Sequence, residues 1–352
     1  MNGQILNLIT WNMLQRIASW LTHRIYEMPV LVLMPHSRCN CRCVMCDIWK
    51  ANAEKKEIST ESLALHMQAF KKLGVKRVAL SGGEALMHSN LWKLCGELNS
   101  IGAKISLLST GLTLNVNAAN IVHHCNEVIV SLDGSKEVHN RIRSIPTAYE
   151  KLAEGILAIK RINPTFRVIG RCVIQKANFR DFQNIVESSK LIGLDQISFL
   201  AADVSSIAFN RPQEWTGEKK ESVALSLNET EEFEWILKKS FPLLKKEFEN
   251  KFIAESPDKL FALVQHYRAF YGKEDFPQRN CNAPWVSAVI EPSGQVLPCF
   301  FHKSYGNIYD DSFENIINSS EAISFRKKLS IRTNLVCQRC VCALHISPLQ
   351  KV

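Results

Sequence analysis

Nine of the twelve cysteines in this 352-residue chain fall in three groups, and their spacing is the first indication of chemistry. The groups are Cys39, Cys41, Cys43 and Cys46, then Cys281 and Cys299, and then Cys337, Cys340 and Cys342. Clustered thiols in a chain without an export signal usually bind metal and do not form disulfides. The other three cysteines stand alone in apolar surroundings and are predicted to be buried: Cys95, Cys125 and Cys172.

The first group contains the spacing CxxxCxxC at Cys39, Cys43 and Cys46. Three thiolates suit a cubane iron–sulfur cluster, because its irons prefer sulfur ligands. They leave one iron without a protein ligand, and such a vacancy lets a metal site accept a substrate or cofactor. Cys41 lies outside this spacing. The alternative is a zinc site that uses all four thiols.

Three polar motifs follow three further apolar runs. They are Ser81-Gly-Gly-Glu84, Leu108-Ser-Thr-Gly111 and Val130-Ser-Leu-Asp-Gly134, the last with His139 and Arg143 downstream. Glycines let a backbone approach a ligand closely, and hydroxyl, carboxylate and guanidinium groups bind polar parts of a cofactor. Each motif alone is also typical of an ordinary turn or cap. The candidate cofactor-binding residues are Gly82, Gly83, Glu84, Ser109, Ser131, Asp133 and Arg143.

The elements that carry these motifs alternate between short apolar runs and longer amphipathic stretches. Six strands are predicted, at Val30–Met34, Val78–Ser81, Ile105–Leu108, Val128–Leu132, Val168–Ile174 and Ile197–Leu200. Five helices are predicted between them, at Ser59–Leu73, Leu91–Ile101, Asn117–His124, Ala148–Ile162 and Phe179–Leu191. Such alternation is typical of βαβ units and a parallel sheet. The motifs then lie at the carboxyl ends of parallel strands, where sites collect in such folds.

The C-terminal cysteines predict a second, closed metal site. The stretch between Cys281 and Cys299 is typical of a hairpin with its turn at Pro292–Gly294, and Cys337 and Cys340 form a CxxC about forty residues later. Four sulfurs from a hairpin and a distant CxxC are a common closed site, for zinc or for iron–sulfur. The predicted ligands are Cys281, Cys299, Cys337 and Cys340, and Cys342 is placed to substitute for one of them.

In this order along the chain, the motifs resemble those of the radical S-adenosylmethionine superfamily. The C-terminal cysteines resemble its SPASM domain or the shorter twitch domain, and the resemblance covers about residues 30–345. It implies an α/β fold, namely a partial (β/α)6 TIM-like barrel with a small C-terminal cysteine-rich iron–sulfur domain. It also implies a [4Fe–4S] cluster on Cys39, Cys43 and Cys46, S-adenosylmethionine on the open iron, and one auxiliary [4Fe–4S] cluster. The family often has proline after the acid of its GGE motif, where this chain has Ala85.

The resemblance further implies that the cluster cleaves S-adenosylmethionine to a 5′-deoxyadenosyl radical, which takes a hydrogen atom from the substrate. The auxiliary cluster is expected to accept an electron, and flavodoxin or ferredoxin to supply one. Only 38 residues precede Cys39, which favours a small-molecule or sugar-containing substrate over the alternative, a peptide or protein. Asp203, His302 and Tyr305 are candidates by position for an acid or base, and none is assigned that role.

Four segments are predicted: an N-terminal amphipathic helix (1–29), a radical S-adenosylmethionine core (30–203), a helical bridge (204–279) and an auxiliary cluster domain (280–352). The net charge of +9 is spread along the chain, so nucleic acid is not an expected partner. No signal peptide or membrane span is recognisable, and a cytoplasmic location is expected. A ferredoxin-like electron carrier, a zinc-binding module and a nucleic-acid modifying enzyme are the competing classes.

The N-terminal segment carries apolar residues at helical spacing, at Ile5, Leu6, Ile9, Met13, Leu14, Ile17 and Leu21. We expect this stripe to pack on the body of the protein, as the apolar face of an amphipathic helix mostly does. The alternative is contact with a membrane surface.

Overall fold

The computed structural model describes residues 2–211, 213–350 and 352, and for residues 2–10 only the backbone. Within these residues one sheet contains nine strands. They are β1 Val30–Leu33, β2 Arg77–Leu80, β3 Lys104–Ser109, β4 Glu127–Ser131, β5 Arg167–Ile174, β6 Gln196–Ala201, β7 Ser287–Ile290, β8 Gln295–Leu297 and β9 Gly306–Asn307. The spatial order is β6-β5-β4-β3-β2-β1-β7-β8-β9. All neighbours from β6 to β7 are parallel, and β8 and β9 are antiparallel additions.

Helices connect the parallel strands and continue beyond them. In the first half they are α1 Asn2–Thr22, α2 Thr60–Ala64, α3 Met67–Lys72, α4 Leu91–Ser100, α5 Leu114–His124, α6 Lys136–Arg143, α7 Ala148–Ile162 and α8 Phe182–Leu191. In the second half they are α9 Gly217–Val223, α10 Leu227–Leu243, α11 Lys245–Glu249, α12 Pro257–Ala269, α13 Ala283–Val286, α14 Phe313–Ile317, α15 Ser320–Lys328 and α16 Leu335–Gln338. Short 3-10 helices occur at Ile48–Ala53, Ala85–Met87 and Phe179–Asp181.

The predicted α/β architecture is confirmed, because all six predicted strands and the helices between them are present. The predicted helix Ser59–Leu73 is divided into α2 and α3. Helix α6 was not predicted, since its sequence is mostly charged and only Val138 and Ile142 supply an apolar face. The isolated cysteines are buried as predicted.

The C-terminal hairpin is present, but it belongs to the barrel sheet. Strand β7 lies parallel to β1, with Leu31 opposite Ala288, and β8 folds back on β7. Gly294 in the turn has a φ of +85°, a conformation that favours glycine. The prediction of a separate C-terminal unit did not anticipate this shared sheet. As a result, Cys281 and Cys299 lie near β1, the strand that precedes the first cysteine group.

The segment after β6 closes the open side of the sheet. Helices α10 and α12 pack over α8 and β6 and form a second apolar core there. The Tyr267 hydroxyl donates to the carbonyl oxygen of Ile174 (2.5 Å) and accepts from the amide of Ala202 (2.9 Å), which ties α12 to the ends of β5 and β6. The sequence of this segment predicts one charged amphipathic helix over Asn228–Phe252, with Phe and Leu on one face, and the structure divides it into α10 and α11.

Helix α1 docks on the body through its polar side, which corrects the expectation for its apolar stripe. Arg16 pairs with Glu27, and both side chains are buried. Leu14 and Leu21 point outward instead, and the side chains of Ile5, Leu6 and Ile9 lie outside the described residues. No helix in the described ranges is long and apolar enough to span a membrane.

Candidate functional site

The three spaced thiols line one cavity of about 180 Å³ at the carboxyl ends of the parallel strands. Its other polar wall residues come from the ends of β2 to β5 and from α6, and they are Ser81, Ser109, Thr110, Ser131, Arg143 and Arg171. Cys41 is buried and does not line the cavity. The structure therefore separates Cys41 from Cys39, Cys43 and Cys46, as the spacing predicted.

The cysteine loop is held by its neighbours at several backbone atoms. The Asn52 side chain accepts from the amide of Cys39 and donates to its carbonyl oxygen, both at 2.9 Å. The amide of Val44 donates to the carbonyl oxygen of Ile142 (3.3 Å), and the Ser144 hydroxyl donates to that of Arg42 (3.1 Å). These bonds hold the backbone that carries the three thiols.

The surroundings of one of the three thiols favour its thiolate form. A hydrogen bond from Cys41 and the adjacent Arg143 guanidinium lower the pKa of Cys43 against the effect of burial. Burial raises the pKa of Cys39 to about 12 and that of Cys46 to about 11. Because the thiolate is the form that binds metal, Cys43 is the thiol of this group whose surroundings most favour metal binding.

The two glycines after β2 are required by the cysteine loop itself. A Cβ on Gly83 would lie 2.0 Å from the carbonyl oxygen of Arg38, and one on Gly82 would lie 2.9 Å from the Cβ of Met34. Gly82 also has a φ of +105°. Both glycines line the cavity. Their first structural task is thus to let the loop after β1 pack against the end of β2.

Glu84 lies beneath the cavity and does not line it. Its carboxylate accepts from the Ser109 hydroxyl (3.2 Å) and from the amide and hydroxyl of Thr110 (both 2.7 Å). Burial raises the pKa of this carboxyl group against these hydrogen bonds. The Glu84 side chain thus positions Ser109 and Thr110 in the cavity wall, and its direct contact with the cofactor stays a prediction.

Asp133 and Arg143 form a buried ion pair behind the first group of thiols. Arg143 Nη2 lies 2.5 Å from Asp133 Oδ2, and Arg143 Nη1 donates to the sulfur of Cys43 at 3.4 Å. Asp133 does not line the cavity. Asp133 neutralises Arg143, whose guanidinium contacts both Asp133 and Cys43, and the contact of Asp133 with the cofactor stays a prediction.

Arg171 is a cavity residue that the sequence analysis missed. It projects from β5 into the wall that also contains Ser131 and Cys39. Its Nε is buried and has no hydrogen-bond partner among the described residues. A buried guanidinium N–H without an acceptor favours an anion nearby, so this wall is suited to a carboxylate. No sequence signal distinguished it from the other arginines of the chain.

The segment after β6 clamps the residue that follows the last thiol of the loop. The Trp215 indole donates to the carboxylate of buried Asp47 (2.8 Å), and the Arg211 guanidinium lies 3.8 Å from the Trp215 ring centre on one side. Lys219 covers the same ring at 4.7 Å and donates to the carbonyl oxygen of Val44 (2.6 Å). We call Arg211, Trp215 and Lys219 the clamp. A tryptophan between two basic residues in a polar stretch was its only sequence signal.

The C-terminal cysteines line a second cavity, of about 140 Å³, whose wall also contains Val32 of β1. All five converge there, namely Cys281, Cys299, Cys337, Cys340 and Cys342. Burial raises the pKa of Cys299 to about 12 and that of Cys337 to about 11. The predicted four ligands are thus together, and the structure adds Cys342 to the same cavity.

The donor sets of the two cavities fit iron–sulfur clusters. Three thiols line the first cavity and five line the second. Thiolates are the ligands that the irons of such clusters prefer.

The three acid–base candidates lie in different surroundings. Asp203 is paired with Arg211 at 2.7 Å and is part of the support of the clamp. His302 lines the second cavity, with Nε2 at 3.4 Å from the sulfur of Cys337. Tyr305 packs on Phe325, away from the walls of both cysteine cavities. None of the three is arranged as an acid or base in the first cavity.

Fold and site together define an enzyme class: a partial barrel with three thiols at its mouth, followed by a second cysteine cavity. Sequence models of two families match accordingly. The radical SAM superfamily matches residues 33–188, and the SPASM iron–sulfur cluster-binding domain matches residues 281–341. The chain belongs to the radical SAM superfamily and carries a SPASM-type domain. Such enzymes catalyse radical reactions that depend on S-adenosylmethionine and iron–sulfur clusters.

Similar proteins include enzymes with different substrates. The subtilosin biosynthesis protein AlbA of Bacillus subtilis is 23% identical over 289 residues, which are 80% of this chain and 58% of AlbA. An AdoMet-dependent heme synthase of Oleidesulfovibrio alaskensis is 25% identical over 306 residues, 80% of this chain and 72% of that enzyme. Among solved structures, Streptococcus suis SuiB bound to its precursor peptide SuiA has a TM-score of 0.64 at 12% identity, covering 94% of this chain and 74% of SuiB.

Proposed function

We propose that this protein oxidises a peptide substrate at a site between its two iron–sulfur centres. The observation that carries the proposal is a third cavity, of about 160 Å³, between the cysteine loop and the turn of the C-terminal hairpin. It shares Ile48 and Gly83 with the first cavity and Phe300 with the second. A substrate in this bridging cavity contacts the walls of both sites.

The residues present fit the two clusters and S-adenosylmethionine. Cys39, Cys43 and Cys46 would hold the first cluster, which together with S-adenosylmethionine would supply the radical that removes a hydrogen atom from a C–H bond of the substrate. The thiols of the second cavity would hold the cluster that accepts the electron left on the substrate. The remaining tasks belong to the chain. Apolar side chains of Met34, Ile48, Phe209 and Phe300 wall the bridging cavity and exclude water from the reacting carbon.

A peptide fits the bridging cavity better than the small molecule predicted from the sequence. AlbA takes part in bacteriocin biosynthesis and SuiB was crystallised with a precursor peptide, so peptide substrates recur among similar proteins. Phe209 and Phe300 form an apolar floor, while Glu291 adds a carboxylate near the turn. This combination suits a side chain attached to a polar backbone. The chain spans only 58% of the length of AlbA. The substrate of AlbA is therefore not transferred to this chain, and a peptide is proposed from the lining of the bridging cavity.

A second candidate is the oxidation of an anionic small molecule. Arg171 lines the first cavity and Arg279 the second, and the Nε of each is buried without a partner in the described part of the chain. Both are near enough to Cys342 to oppose the rise of its pKa on burial. Two such cations favour carboxylates, and one similar protein is a heme synthase.

The substrate class is tested by following S-adenosylmethionine cleavage with the reconstituted protein. Dithionite replaces the predicted reductant, flavodoxin or ferredoxin, and size-fractionated host extract is the source of substrate. We expect a fraction that accelerates formation of 5′-deoxyadenosine and loses this effect after protease treatment. A stimulating fraction that resists protease supports the small-molecule candidate. If no fraction accelerates the formation of 5′-deoxyadenosine, both the peptide and the small-molecule candidates are refuted.

The assignment of the second centre is tested through iron content. Replacing Cys39, Cys43 and Cys46 by Ala should leave about four irons per chain in the C-terminal cavity. Replacing Cys281 and Cys299 as well should remove them. One zinc and no iron in the first variant would contradict the auxiliary cluster and with it the role of electron acceptor.

Arg171 is proposed to pair with the carboxylate of S-adenosylmethionine, because Arg143 is already engaged by Asp133 and Cys43. Arg171→Met should weaken binding of S-adenosylmethionine by about 10- to 150-fold, the equivalent of one hydrogen bond between charged groups. Binding of the decarboxylated analogue should not change. Arg167→Met, on the same strand at a position with a 53% exposed side chain, is the matched control. Equal loss for both ligands would exclude this pairing.

A further inference from the structure

Helix α1 turns an apolar stripe away from the protein. Trp11, Leu14 and Leu21 are 60%, 54% and 73% exposed. They are spaced by three and seven residues, so they lie on one side of a helix with 3.6 residues per turn. These three residues are called the outer stripe. Contiguous exposed apolar side chains on a helix mark a surface that contacts another phase or molecule.

The outer stripe cannot turn inward because the opposite side of the helix is anchored. Arg16 forms a buried ion pair with Glu27 and also donates to the carbonyl oxygens of Ser347 (3.3 Å) and Gln350 (2.6 Å). Breaking a buried ion pair leaves a charge without a counter-ion, which is strongly unfavourable. The stripe is therefore presented to the surroundings in the folded protein.

Basic side chains lie at the C-terminal end of the same helix. Arg24 is exposed just after α1 ends. Arg326 at the end of α15 donates from Nε to the carbonyl oxygen of His23 (2.7 Å), which brings Lys327 and Lys328 to this place. Both lysines are exposed. Arg24, Lys327 and Lys328 are called the basic cluster.

We propose that the outer stripe and the basic cluster dock this protein on an anionic lipid surface. Helices that lie in the headgroup region present Trp and Leu on one side and gain further attraction from nearby Lys and Arg. The anchored side of α1 is occupied by the protein body, so only the outer stripe is available to the lipid. A second copy of the chain is a poorer occupant, because the sequence of α1 contains no Asp or Glu that could pair with the basic cluster of another copy.

The proposal is tested by vesicle flotation with the full chain. Vesicles of phosphatidylcholine with 30% phosphatidylglycerol are compared with phosphatidylcholine alone, at about 0.1 M and 0.5 M salt. We expect flotation with the anionic vesicles, reduced at high salt. Trp11→Ser, Leu14→Ser and Leu21→Ser together should lower partitioning at least about tenfold, since three apolar side chains no longer leave water.

A matched control has three exposed apolar residues outside α1 replaced by Ser. Leu65, Val116 and Leu191 are each 82% exposed, and changing all three to Ser should leave flotation unchanged. Changing the basic cluster to Gln should weaken binding about fivefold for each charge. Circular dichroism and retention of iron show that each variant is folded.

Three results would overturn the proposal. The first is a wild-type chain that does not float with anionic vesicles. The second is flotation that the outer-stripe variant retains in full. The third is a wild-type chain that does not bind vesicles but self-associates in sedimentation, with the self-association lost in the outer-stripe variant. The last result would assign the stripe to contact between copies of the chain.

Discussion

Replacing Trp215 by Phe should loosen the cysteine loop while leaving the barrel intact. The change keeps an aromatic ring between Arg211 and Lys219 but removes the indole hydrogen bond to Asp47, which is 2.8 Å long and buried. A hydrogen bond to a charged group contributes about 1.5–3 kcal/mol. The other hydrogen-bond partner described for Asp47, Lys50, has a half-exposed side chain and replaces little of this loss. Local opening of the loop should therefore increase about 10- to 150-fold.

Hydrogen exchange followed by mass spectrometry measures this opening directly. At neutral pH, peptides that contain Cys43, Cys46 and Asp47 should exchange faster in Trp215→Phe, and peptides from β2 to β5 should not change. In the reconstituted protein, iron should be lost to a chelator faster. Trp235→Phe is the matched control, because that side chain is 60% exposed and remote from the loop in the contact pattern of α10. Equal exchange in Trp215→Phe and wild type would refute the clamp.

The same hydrogen bond predicts a pH dependence. Burial raises the pKa of Asp47, but hydrogen bonds from Lys50 and Trp215 outweigh it, and the net pKa is lowered. A carboxyl group with a lowered folded-state pKa stabilises the fold above its unfolded pKa and loses that contribution as the pH falls through its folded pKa. The difference in the free energy of loop opening between wild type and Trp215→Phe should thus be at its maximum at pH 7 and should decrease only in acid, below about pH 4. A difference that disappears near pH 6 would point to another group.

Gly83→Ala should prevent packing of the cysteine loop and lower the iron content, because the new Cβ would meet the carbonyl oxygen of Arg38. The control Gly96→Ala has free space in α4 and should stabilise the fold by about 0.5–1 kcal/mol in chemical denaturation. Cys41→Ala should retain both iron centres and cleavage of S-adenosylmethionine, while Cys43→Ala should lose cleavage and the iron of the first centre only; cleavage by the Cys43 variant would overturn the ligand set. Glu84→Gln should lower the free energy of unfolding by about 1–3 kcal/mol, since an amide cannot accept from all the donors that the carboxylate satisfies, and weaken cofactor binding only through the displaced wall. An unchanged midpoint of chemical denaturation in Glu84→Gln would contradict that account.

The strands and the positions of the motifs could be predicted because both depend on local sequence. Continuous apolar runs of four to eight residues specify buried parallel strands, and helical periodicity specifies the segments between them. Helix α7 was predicted with its exact ends, Ala148 and Ile162. The failures have local causes as well. Helix α6 is too polar to show a periodic face, and the break between α10 and α11 comes two residues after Pro242.

The direction of individual side chains could not be predicted from their motifs. Glu84 and Asp133 lie in motifs typical of cofactor contact, yet each carboxylate is directed at a protein partner. Burial makes an unpaired carboxylate unfavourable, so the nearest donors compete with any cofactor for it. Which donors are nearest depends on Ser109, Thr110 and Arg143, which belong to other strand ends or to a later helix.

The sequence by itself determined the class of protein, the grouping of the thiols and the positions of the barrel strands along the chain, because ligand spacing and periodicity depend on short stretches of sequence. Only the tertiary structure decided that β7 joins β1, that Cys342 shares the second cavity and that Arg171 faces the first. It also decided that the clamp holds the cysteine loop across more than 160 residues of chain, from Asp47 to Trp215. These contacts join residues distant in sequence, and their free energy comes from burial and pairing that exist only once the sheet has assembled.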